Sequence, residues 1–99
     1  MNELNDVVKE INQMNDYLND VYQDIESSIY LGQDKEGLVQ VEMKGSFEIK
    51  SIKWNEERLD GQSEVLKEKI KEATNDALSK IKFERQSIVL SVINEKMRL

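Results

Sequence analysis

The sequence predicts an α+β fold: a long N-terminal helix, a small antiparallel sheet, and a long C-terminal helix. Three observations lead there. Leu4, Val7, Ile11, Met14, Leu18, Val21 and Ile25 recur in alternating steps of three and four, the narrow apolar seam of a helix that packs on another helix. "GLVQVEMKGSFEIKSIKW" at 37–54 holds two alternating runs around a glycine, the pattern of a hairpin. Leu66, Ile70, Ala73, Ala77, Ile81, Ile88 and Val92 then form a second helical stripe. Proline is absent and only four of the 99 residues are glycine, which suits long unbroken helices.

The chain reads as one domain, with a first helix in 1–31, a sheet region in 32–60, and a second helix with a C-terminal extension in 61–99. Apolar spacing runs through residues 3–28, and a helix of that length would span about 39 Å. "IYLG" at 29–32 could form a short strand ended by Gly32. In the hairpin, Gly45 is expected at the turn, where positive φ is wanted. Residues 55–62 read as a connection with Leu59 anchored in the core. Ser63 is placed to start the second helix, with Glu64 at the positive end of its dipole. The apolar run "SIVLSVI" at 87–93 is read as a continuation of that helix which docks on something. Asn75 is expected to make a buried hydrogen bond that fixes the helix against the hairpin.

With no histidine and no cysteine, zinc sites and His- or thiol-based catalysis are excluded. The carboxylates are scattered, and no motif that carries a reaction mechanism is visible. The chain reads as a non-enzyme without a cofactor. No apolar run reaches the ~18 residues of a membrane span, and the acidic start is unlike a signal peptide, so the expectation is a cytoplasmic protein without a membrane partner. The net charge of −6 is unevenly spread. Residues 1–31 carry seven acids and one lysine, and residues 61–99 carry six acids and eight basic residues. Such asymmetry bears on partners more than the total does.

Three segments resemble the YbaB/EbfC-type nucleoid-associated proteins: "EGLVQVEMKG", "EIKSIKWNEERL" and "ATNDALSKI", in the family's order and spacing across about 36–81. The resemblance implies a tight homodimer whose helices protrude around duplex DNA, with no enzymatic activity and no cofactor. The sequence departs from the family in two places. The usual glycine- and methionine-rich ends are missing, and the first helix is strongly acidic, which would repel phosphates.

Double-stranded DNA bound with little sequence specificity is thus one expectation, in a nucleoid-associated setting. Candidate contacts are Lys50 and Lys53 on the hairpin, Lys67, Lys71, Lys80, Lys82 and Arg85 on the second helix, and Lys96 and Arg98 at the end. The alternative is an acidic protein–protein adaptor or chaperone-like accessory protein, as in a type VII secretion locus, with its partner bound through the first helix or 87–93. For the homodimer, Val39, Val41, Met43, Ile52 and Trp54 are candidate interface residues. Simple alternation puts Ile49 and Ile52 on opposite faces, so a two-sided sheet covered by a second copy is expected. A bulge near Lys50–Ser51 would help the switch.

Overall fold

The structure, a computed structural model, describes residues 3–96. Helix α1 (Glu3–Ser27) leads into strand β1 (Ile29–Gln33). Strands β2 (Val39–Lys44) and β3 (Ile49–Trp54) form the hairpin, a single helical turn α2 (Glu56–Leu59) follows, and helix α3 (Ser63–Lys96) closes the chain. The sheet is antiparallel in the order β1-β2-β3. The predicted α+β class and element order are those observed, and residues 87–93 do continue the helix. The turn α2 was not foreseen. Asn55 starts it, its side chain accepting a hydrogen bond from the Arg58 N–H.

Helix α3 lies across β1 and β2. Its stripe narrows to Ala73 and Ala77 where it crosses Gly32, and a Cβ at Gly32 would run into the Ala73 carbonyl oxygen and the Ala77 nitrogen. Two small residues against a glycine let the helix backbone rest directly on the strand. Val39, Val41, Leu59 and Ala73 form one buried cluster; Ile25, Met43, Ala77 and Ile81 form the other. Beyond the sheet, α1 and α3 pack on each other, with Val21 and Tyr22 near Ile88 and Val92 buried farther along.

Gly45 is needed for a different reason from the one expected. Its φ is not positive. Instead, a Cβ there would collide with the Ile25 carbonyl, so α1 ends against the turn. The left-handed residue of that turn is Phe47, at φ 71°. A non-glycine residue in this region is strained, and the Phe47 ring is held beneath the Arg85 guanidinium, 4.9 Å from its centroid.

The bulge lies where the sequence placed it, but with the opposite consequence. Val39 pairs with Trp54, Val41 with Ile52 and Glu42 with Ser51, and then Met43 pairs with Ile49, leaving Lys50 as the surplus residue. Cross-strand partners share a face. The extra residue therefore returns Ile49 to the same side as Ile52 and Trp54, beside Val39, Val41 and Met43. The expected two-sided apolar sheet is corrected to a sheet with one core face. The other face carries Gln33, Gln40, Glu42, Lys44, Ser51 and Lys53, with Ile29 and Leu31 at its margin. Val39, Val41 and Met43, expected at a subunit interface, are fully covered by the chain's own helices. Only Ile52 and Trp54 of that set keep accessible surface.

Candidate nucleic-acid interface

The basic side chains divide into those that hold the fold and those left to face outward. Lys69 is anchored in the loop before β2. Its Nζ bonds Asp34 at 3.2 Å and Glu36 at 2.9 Å. Asp34 is 4% exposed and organises this loop, accepting from the backbone N–H of Val39 (2.7 Å) and Glu36 (3.1 Å). Burial pushes its carboxyl up, but the bonds from Val39, Lys69 and Glu36 outweigh that and hold it below its usual value.

Two of the expected DNA contacts are engaged within the chain. Lys80 donates to the Leu31 carbonyl at 2.6 Å and stands 3.4 Å from Asp76. Arg85 donates to the Gly45 carbonyl at 2.8 Å and sits between the Tyr22 and Phe47 rings, 4.0 Å from Glu26. A guanidinium so enclosed clamps the end of α1, the 45–47 turn and α3 together. Neither residue is a free phosphate ligand, and sequence position alone gave no sign of it, because the partners are backbone carbonyls from elements 40 or more residues away.

Lys50, Lys53, Lys67, Lys71 and Lys82 are exposed. Lys53 lies 3.5 Å from Glu42 and Lys67 lies 3.3 Å from Glu64, surface pairs of the kind that yield readily to a stronger partner. Among the described residues, Lys50, Lys71 and Lys82 have no carboxylate within 4.0 Å. At 3.6 residues per turn, Lys67, Lys71 and Lys82 fall within about 60° of one another on α3, along one flank of the stripe that meets the core. They make a one-sided basic row about 22 Å long at 1.5 Å per residue. The side chain of Lys96 and all of Arg98 lie outside the described residues.

Asn75 does not make the buried bond expected of it. Its side chain is exposed, and the polar contact to the sheet comes from the next residue, Asp76, which accepts from the Gln33 N–H at 3.0 Å. One residue is about 100° of helix rotation, enough to turn Asn75 outward and Asp76 toward β1. On α1, Leu4, Val7, Val8 and Ile11 are exposed among acidic neighbours. In the run 87–93, Ile88 and Val92 turn toward α1 while Leu90 and Ile93 face out. No cluster of metal-ligating side chains occurs among the described residues, and no described helix is long and apolar enough to cross a membrane.

A small sheet with one core face and two long helices leaving it together define an α+β architecture, with a row of exposed lysines along one flank of α3. The sequence matches the profile of the YbaB/EbfC DNA-binding family over residues 1–97. This chain belongs to that family. It is 33% identical over 89 residues to the nucleoid-associated protein EbfC of Borrelia turicatae (strain 91E135), covering 89% of this chain and 90% of that relative. It is 31% identical over 83 residues to the protein of the same name from Borrelia hermsii (strain HS1 / DAH), covering 83% and 84%. The fold is also that of the crystal structure of the uncharacterized protein HP0035 from Helicobacter pylori, with a TM-score of 0.75 at 15% identity, over 88% of this chain and 92% of that one.

Proposed function

We propose that two copies of this chain associate and that the pair binds double-stranded DNA with little sequence preference, as a nucleoid-associated protein of the cytoplasm. The observation that carries this reading is the row of exposed lysines Lys67, Lys71 and Lys82 along one flank of α3, joined to membership of a DNA-binding family. Lysine is a point charge suited to phosphate, and releasing the counterions of phosphate drives such binding. Base reading in the major groove rests mostly on arginine, asparagine and glutamine. Here Arg85 is enclosed by the fold, which favours backbone contact over sequence recognition. The acidic α1 is expected to stand away from the duplex.

The test is binding to a plain duplex at rising salt, with the mass in solution measured alongside. Above about 0.02 M, affinity should fall linearly in log–log form with added salt. Absence of binding at 20 mM salt or below would overturn the proposal.

A second reading is that acidic α1 docks a protein partner, with Leu4, Val7, Val8 and Ile11 as its exposed apolar side chains. It predicts that a Leu4→Ser/Val7→Ser/Ile11→Ser variant keeps DNA binding and loses a defined protein partner in pull-down. Equal recovery of that partner by the variant and the parent chain would rule it out.

A further inference from the structure

Helix α1 is held at one end. Ile25 is buried, Met14, Leu18, Val21 and Tyr22 are half-buried, and Leu4, Val7 and Ile11 are exposed. Its contacts therefore thin out with distance from the sheet. The apolar seam that Val21 and Ile25 share with Ile81 and Ile88 sets how close the two helices lie. Apolar burial is non-directional, however, and fixes the angle between them only loosely. The acids of residues 1–31, seven against one lysine, ride on that lever. From Tyr22 to Leu4 it measures about 27 Å at 1.5 Å per residue, so a swing of about 10° moves the far end by roughly 5 Å.

One side chain supplies the missing direction. Arg85 donates to the Gly45 carbonyl at 2.8 Å. Its guanidinium carbon lies 5.3 Å from the centre of the Tyr22 ring and 4.9 Å from that of Phe47, and a Glu26 carboxylate oxygen stands 4.0 Å away. Tyr22 and Glu26, four residues apart, share one flank of α1 beside its seam. This grip works against stability in two places. Nε of Arg85 is buried with no hydrogen-bond partner, and Phe47 keeps its positive φ. Enclosing a charge in this way adds little net stability, so what it supplies is position.

We propose that Arg85 is a positioning residue for DNA binding, one that holds the acidic first helix off the basic row of α3. This rests on the DNA reading above. Lys67 and Arg85 are separated by about five whole turns, which puts them on the same flank of α3. Lys82, three residues before Arg85, is its neighbour on the helix surface. Arg85 thus stands where the two charge sectors meet. It occupies Glu26, and Lys82 is left with no carboxylate within 4.0 Å among the described residues. Without the guanidinium, Glu26 faces Lys82, the exposed cation next along that flank. Helix α1, no longer fixed in angle, follows its own charge toward the row, and its acids compete with phosphate for the lysines. Arg85 touches no DNA in this arrangement; it acts through Lys82 and α1.

Anisotropy of a labelled duplex over a salt series above about 0.02 M tests this. Arg85→Met should make the slope of log K against log[salt] shallower by about 1.8, two Lys82 contacts in the proposed pair of chains at roughly 0.9 each. Adding Glu26→Gln should return at least half of that loss, because the released acid is then gone. A slope that is lost and not regained would make Arg85 itself a phosphate contact and overturn the proposal, as would an unchanged slope in Arg85→Met. If Arg85→Met fails to fold, Phe47→Gly takes its place. It removes one stacked ring at a position whose φ suits glycine, and it should shift the slope in the same direction; an unaltered slope there overturns the proposal. Because the chain contains no cysteine, Asn12→Cys/Gln86→Cys takes spin labels at those two exposed sites alone. Diluted with unlabelled chain, the label distance should be narrow with Arg85 present and spread at least twofold wider in Arg85→Met, and equal widths overturn the positioning role. Should the parent chain bind no duplex, the DNA reading falls, and the label distances alone decide whether Arg85 holds α1.

Discussion

Replacing Lys71 and Lys82 together by glutamine tests the basic row with little risk to the fold. Both side chains are exposed, and neither has a carboxylate within pairing distance among the described residues. Glutamine has nearly the helix propensity of lysine, so stability should move by less than about 0.5 kcal/mol. In the proposed dimer the pair of substitutions removes four charges. If each neutralises one phosphate, the slope of log K against log[salt] becomes shallower by about 3.6, at roughly 0.9 per contact. Extrapolated from 1 M to 0.1 M salt, the same four contacts are worth roughly three and a half orders of magnitude in affinity. The assay is fluorescence anisotropy of a labelled duplex at four or more salt concentrations. Lys9→Gln, on acidic α1, is the control and should leave the slope unchanged. An unaltered slope in the double variant, or an equal change in the control, would refute the assignment of phosphate contacts to this side of α3.

Three further outcomes follow from the packing. Gly32→Ala should destabilise by at least about 1–3 kcal/mol, because the new methyl group meets the Ala73 carbonyl; thermal unfolding would show it as a fall of about 4–8 °C per kcal/mol, and an unchanged midpoint would contradict the close approach. The Asp34 carboxyl is held below its usual value of 3.8, so its contribution to stability is fully present above the unfolded value and is lost as pH falls through the folded one; denaturant titrations of the parent chain should therefore show a loss below about pH 4 that is smaller in Asp34→Asn, and parallel curves would count against it. Asn75→Leu should leave folding and oligomeric state intact within about 0.5 kcal/mol, as exposure of the side chain requires, and a large loss in circular dichroism melts would restore the buried role.

Much of the fold was legible because apolar spacing survives translation into three dimensions. The α1 seam and the α3 stripe each carry a period that only a helix satisfies; the α3 stripe meets the core, and the α1 seam does so at Val21 and Ile25 while Leu4, Val7 and Ile11 stay exposed. Even the narrowing at Ala73 and Ala77 could be read, though not its cause, which is Gly32 on a strand 41 residues earlier. The sheet shows where such reading stops. A period of two keeps its phase only while residues pair one to one, and the surplus Lys50 shifts the phase of everything before it in β3. The sequence contained the break in pattern, but parity alone could not tell a strand with two apolar faces from a strand with one extra residue. Asn75 failed for a related reason, since the motif was in the right place and the polar contact belonged to its neighbour.

The candidate site was less legible than the fold, because a basic residue in a sequence does not announce its partner. Lys69, Lys80 and Arg85 sit on α3 among lysines of similar appearance, yet their charges face carboxylates, carbonyls and aromatic rings of their own chain. The +2 of residues 61–99 therefore overstates the positive charge that α3 can offer to a duplex. What remains is concentrated in one sector, Lys67, Lys71 and Lys82, while the −6 of residues 1–31 is attached to α1 alongside. Uniformly mixed charges at this net value would leave no sector attractive to phosphate. Segregation permits binding on one side of the helix pair, and because the Debye length is about 8 Å at physiological salt, the acids across the pair are largely screened from it. At low salt that screening weakens and α1 begins to repel the duplex. The log–log salt plot should then bend below about 0.02 M, where the Debye length exceeds the width of a packed helix pair. Neutralising Asp16, Asp20 and Asp24 to asparagine should straighten the plot and raise low-salt affinity, and a plot equally straight in both chains would mean that α1 is electrostatically remote from the DNA.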